Sequence, residues 1–185
     1  MSWLLLILGV AIWWGAHLFK RVAPDMRSGM GDAGKGGVAV LLVGSIVLMV
    51  LGYRGTDFIS VWYPPSFLVH LNNLLMLIAL YLFSPAAKRG KLIYGMRHPM
   101  LIGFKTWAIA HLLVNGDLAS IILFGGLLAW AVVEVIVINR SEPNWQKPTE
   151  PGTIGKDAMF FVGSVILLAV IGYIHSWLGV WPFPA

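Results

Sequence analysis

The stretch Arg97-His98-Pro99-Met100-Leu101-Ile102-Gly103-Phe104-Lys105-Thr106-Trp107-Ala108-Ile109-Ala110-His111-Leu112-Leu113-Val114-Asn115-Gly116-Asp117 decides the fold. It reads as one apolar helix bounded by polar punctuation, with His98 at its mouth and His111 inside it. An ionisable ring within an apolar span is expensive in a bilayer, so it marks either a function or a hydrogen-bonded partner.

Composition extends this reading to the whole chain. Of 185 residues, 58% are hydrophobic and 11% charged, and the mean hydropathy is +0.81. A soluble domain has about a quarter of its residues charged, so the class is an all-α polytopic membrane protein. Six apolar runs have the length of a bilayer crossing: about 2–19, 37–53, 67–83, 99–114, 118–138 and 158–179. They make one transmembrane domain over 1–185, with a cytoplasmic loop at 139–157 and a terminal helix at 158–179. The first run follows no basic segment and is expected to be retained as a span rather than cleaved as a signal peptide.

Charge placement gives the expected orientation. Of the 13 Lys and Arg residues, all but Arg54 and Lys105 fall in the connections after the first, third and fifth runs. The positive-inside rule then puts both termini on the non-cytoplasmic side. Tyr53, Trp62, Tyr63, Trp177 and Trp181 would form an outer aromatic belt. The basic pI of 9.7 is therefore a topology device facing membrane lipid, and nucleic-acid binding is not expected. The absence of cysteine removes disulfides, thiolate metal sites and thiol catalysis. Ser66, after the Pro64-Pro65 break, is placed to cap the third run. Asn115-Gly116-Asp117 is a tight turn that would fold the fourth and fifth runs into an antiparallel hairpin.

Depth sorts the histidines. His70, His111 and His175 fall toward the outer ends of their runs, and His17 and His98 toward the inner ends. His98 and His111 stand about 20 Å apart along one helix, too far to share an ion. The structural reading of a lone intramembrane histidine is a hydrogen-bonding strut between helices, and His175, at the interface beside Ser176 and Trp177, fits it. For His111 a partner exists at similar depth, His70, with Asn73 one turn away to orient its ring. Zinc would need three converging helices without thiolates. Two histidines from two helices suit the iron of a b-type haem better, with Phe104, Trp107 and Gly103 as its apolar wall; ordinary helix packing is the alternative for that stripe. Glu134 is the remaining charge at depth. The hairpin would bring it beside Arg97, His98 and Lys105 as a structural polar cluster, or, less simply, as a carboxylate–imidazole pair for proton transfer.

The segments Arg97-His98-Pro99-Met100, Ala110-His111-Leu112-Leu113, Asn115-Gly116-Asp117-Leu118-Ala119-Ser120 and Leu123-Phe124-Gly125 resemble the NnrU family of bacterial inner-membrane proteins. Trp62-Tyr63-Pro64-Pro65 with His70-Leu71, and His17-Leu18, are similar to its other signatures. The resemblance covers most of 1–140. It implies a place in denitrification, in nitric oxide or nitrite metabolism, as a redox sensor, electron carrier or isomerase-like enzyme. It also implies contact with denitrification enzymes or with a hydrophobic small molecule. A distant branch, the plant zeta-carotene isomerase, binds haem b and has the same spacing between its counterparts of His98 and His111. That branch implies His111 as a haem ligand and His17 as the second, where depth selects His70. It carries a cysteine where this chain has Ala108, so its thiol-linked ligand exchange cannot operate here. Two other readings stay open: a cofactor-free membrane accessory protein, and an S-adenosylmethionine-dependent membrane methyltransferase. The second resembles this chain at Arg97-His98-Pro99 but needs an acidic motif where Asn139–Pro143 breaks into a proline-rich loop.

Overall fold

A computed structural model describes residues 1–184. The helices are α1 (Ser2–Val22), α2 (Pro24–Gly29), α3 (Gly31–Gly55), α4 (Leu68–Phe83), α5 (Ala86–Arg89), α6 (Pro99–Val114), α7 (Leu118–Ser120), α8 (Gly126–Ser141) and α9 (Ile154–Trp177). A π-helical turn, Ile121–Gly125, joins α7 to α8. Among the described residues there is no strand, only an isolated bridge between Ser60 and Asp117. Among the described residues four helices are long and apolar enough to cross a membrane: Ser2–Val22, Gly31–Gly55, Leu118–Ser141 and Ile154–Trp177. The two apolar helices Leu68–Phe83 and Pro99–Val114 are shorter. At 16 residues each they reach about 24 Å, less than the roughly 30 Å of a hydrocarbon core. The chain is thus a multi-pass membrane protein.

The chain forms two compact units, interleaved in sequence. The first comprises Met1–Tyr63 and Asn115–Pro143, the second Pro64–Val114 and Asn144–Ala185.

In the first unit α1 and α3 run antiparallel at close range. Gly9 and Gly52 make this possible. A Cβ on Gly9 would come within 2.8 Å of the Met49 amide nitrogen, and one on Gly52 would collide with the backbone of Leu6. Small residues at a helix crossing let backbones approach where lipid offers no hydrophobic drive. The glycine-rich segment 31–36 is helical, so α3 starts earlier than the expected run at 37. Its first residue, Gly31, takes φ +53, which a side chain would resist. On the other side of α1, the Trp14 indole donates to the Gly126 carbonyl over 3.0 Å. Residues 56–63 return to the start of α7: Val61 and Trp62 donate to the Gly116 carbonyl at 2.8 and 3.0 Å, and Leu118 donates to that of Ile59 at 2.9 Å. Asp117 caps α7, accepting from the Ser120 amide at 2.9 Å and the Ser120 hydroxyl at 2.6 Å. With its proton given to Asp117, Ser120 accepts from the Tyr53 hydroxyl at 2.9 Å.

In the second unit α4 and α6 are antiparallel. Asn72 donates to the Ala110 carbonyl over 2.8 Å, and a Cβ on Gly103 would meet the Ala79 carbonyl at 3.0 Å. Ser66 does not cap α4; Phe67 precedes the helix, and Ser66 offers its carbonyl to Val69 instead. The helix α9 begins at Ile154, before the expected 158, capped by Thr153. Three residues later Asp157, 3% exposed, accepts from the Tyr81 hydroxyl at 2.6 Å and from the Lys91 and Leu92 amides at 2.6 and 3.2 Å. The loop at 144–153 is tied down as well. Gly152 and Thr153 donate to the carbonyls of Gly90 and Arg89, and the Arg97 guanidinium lies 5.8 Å from the Trp145 ring centre.

Candidate functional site

His17 and His111 share a local design. Each follows a tryptophan by four residues within Trp-x-x-Ala-His-Leu, at 13–18 and at 107–112. Four residues is one helical turn, so the ring lies back over the tryptophan. The Nδ1 of His17 bonds the Trp13 carbonyl at 3.0 Å, and that of His111 the Trp107 carbonyl at 2.9 Å. A carbonyl only accepts, so each Nδ1 carries the hydrogen and the lone pair of the neutral ring sits on Nε2. This is the tautomer that presents Nε2 to a metal, with the backbone as its orienting partner.

Their surroundings are aromatic. In the first unit the His17 ring lies 4.2 Å from Trp13 and 4.5 Å from Trp130, centre to centre, and the two indoles meet edge-on at 5.3 Å. In the second unit His111 lies 4.9 Å from Trp107, which lies 5.0 Å from Phe104. Gly103 does not contribute room beside these rings. It is buried against α4, where it serves helix packing.

His70 is exposed. The pairs Asn72–Ala110 and Ala79–Gly103 set the α4–α6 register, which makes His70 level with residue 112 and so at the depth of His111. Its direction differs: two residues from Asn72, it points about 160° away from the face that meets α6. The buried amide on α4 is Asn72, which bonds the α6 backbone rather than a histidine ring. His175 of α9, in the same unit as His111, is held in the same way, its Nδ1 bonded to the Ile171 carbonyl at 2.8 Å. Among the described residues no three His, Cys, Asp or Glu side chains converge as a metal cage.

Glu134 lies in the first unit, while Arg97, His98 and Lys105 lie in the second. The charge acting on Glu134 is Arg21 of α1, a partner that the hairpin argument does not suggest. A cleft of about 210 Å³ between α4 and α9 is lined by Leu80, Phe83, Met159, Phe160 and Leu167 and holds no histidine.

A family model described as NnrU protein matches residues 5–182, extending well beyond the resemblance legible over 1–140. No curated protein and no solved structure matches the chain.

Proposed function

The chain belongs to the NnrU family, and from that membership we propose that it is a haem-b-binding protein of the bacterial inner membrane that serves nitric oxide or nitrite metabolism. In this reading all six apolar helices cross the bilayer and both termini lie outside the cytoplasm. The observation that carries it is the Nδ1 bond of His111 to the Trp107 carbonyl, which orients Nε2 as a ligand nitrogen beside two aromatic rings. His17 presents the same nitrogen in the same way. The candidates for the other ligand are His70, level with His111, and His17, which shares its local design; single-residue variants decide between them.

Haem b, when bound, supplies a one-electron iron centre. The residues of this chain do the rest. Trp107 and Phe104 keep water from the His111 ring. Asn72 fixes the height of α6 against α4, and Ala108, in place of a thiol, offers no sulfur to exchange for a histidine. The apolar cleft between α4 and α9 suits a hydrophobic small molecule, and the basic connections suit lipid headgroups. Denitrification enzymes are the protein partners this role calls for.

The test is absorption spectroscopy of the detergent-purified protein expressed with ample haem. A Soret band with a reduced-state α-band is expected, lost in His111→Ala, and the spectra of His17→Ala and His70→Ala identify the other ligand. Haem-free wild-type protein under those conditions overturns the proposal and leaves a cofactor-free accessory protein.

A further inference from the structure

Glu134 differs from the other buried acid of the first unit. Asp117 has both oxygens occupied by Ser120. Glu134, 9% exposed within the span Leu118–Ser141, has a buried Oε2 with no hydrogen-bond partner. It lies one turn past Trp130 on α8, and the Trp130 indole is the side-chain donor beside the carboxyl. The helix packed on that side, α1, brings His17 to the level of Trp130 and Arg21 one turn further on, while Lys20 is exposed. Arg21 is close enough to act on Glu134, yet its Nη1 is bonded to Ser141 at 3.2 Å and to Glu142 at the exposed helix end. An ionised carboxylate with a donorless oxygen at this depth is strongly disfavoured unless a cation meets it. The cation within reach is engaged elsewhere.

We propose that Glu134 is an intramembrane proton-binding site, which holds its proton while Arg21 is paired with Glu142 and releases it when Arg21 turns inward. On release the O–H electron pair stays on the carboxylate and the proton leaves to water at the Glu142 end. Arg21 keeps its charge throughout and exchanges one carboxylate for another. Glu142, whose side chain is 56% exposed, is then solvated. The site involves no cofactor, so it stands or falls separately from haem binding.

The experiment is an infrared pH titration of the full chain in lipid nanodiscs. A buried protonated-carboxyl band is expected at neutral pH and is absent in Glu134→Gln. Glu142→Gln, which frees Arg21 for Glu134, should lower the midpoint of that band by about one pH unit or more, and Arg21→Gln should raise it. Because glutamine mimics the neutral acid in shape, Glu134→Gln should keep the wild-type melting temperature. An identical carboxyl spectrum in wild type and Glu134→Gln overturns the proton site, as does a large loss of stability in that variant, the mark of an ionised pair. An unmoved midpoint in Glu142→Gln overturns the exchange of Arg21.

Discussion

The side-chain amide of Asn72 donates to the carbonyl of Ala110 over 2.8 Å, joining the buried faces of α4 and α6 one residue before His111. Interhelical bonds of this kind contribute about 1 kcal/mol in membrane proteins. Asn72→Leu should therefore lower the melting temperature in detergent by a few degrees. It should also perturb the His111 ring, visible as a shifted imidazole resonance. Wild-type values for both would show that the bond does not set the position of α6.

Glycine substitutions on α3 should differ in sign. Gly52 faces the Leu6 backbone, whereas Gly44 has open space around the position of a Cβ. Gly52→Ala forces α1 and α3 apart and should destabilise by about 1–3 kcal/mol. Gly44→Ala gains helix propensity and should stabilise by up to about 1 kcal/mol. Thermal unfolding of the pair checks this, and equal effects would refute the close crossing.

Asp157 fastens the connection after α4 to the start of α9 through Tyr81, Lys91 and Leu92. Asp157→Ala leaves three donors without their acceptor. The expected outcome is rapid proteolysis between Ser84 and Arg97 in a protein whose other segments stay protected. Asp157→Asn keeps one acceptor oxygen and should fall between.

Orientation can be read without background labelling, because the chain has no cysteine. Single substitutions Ser28→Cys, Lys91→Cys and Trp145→Cys should all react with a membrane-impermeant maleimide from the cytoplasmic side. Asp57→Cys and Ser66→Cys should react from the other. Any of the first three labelling with the second pair would refute the six-crossing topology.

The six apolar helices were legible because length and hydropathy alone specify them; the third and fourth runs, 67–83 and 99–114, match α4 and α6 almost to the residue. The ends of α3 and α9 were not. Gly31–Gly37 has poor intrinsic propensity, and Ile154–Asp157 is polar, so both resembled loop. The role of Asp157 is not legible locally, because it depends on amides more than sixty residues away. His111 is legible as an ionisable ring in an apolar span, but the Arg21–Glu134 relation arises from tertiary packing that no local spacing records. The π-helical turn leaves no compositional trace in Ile121–Gly125 at all.

That turn divides one continuous rod into two instruments. A π-turn holds one residue more than an α-helix of equal length, so it rotates everything after it by about 100°. Before it, Ser120 meets Tyr53 of α3; after it, Gly126 and Trp130 meet Trp14 and His17 of α1. Removing a single residue from 121–125 would leave the first set of contacts in place and swing the second out of register. The aromatic enclosure of His17 therefore depends on a miscount of one in the helix opposite.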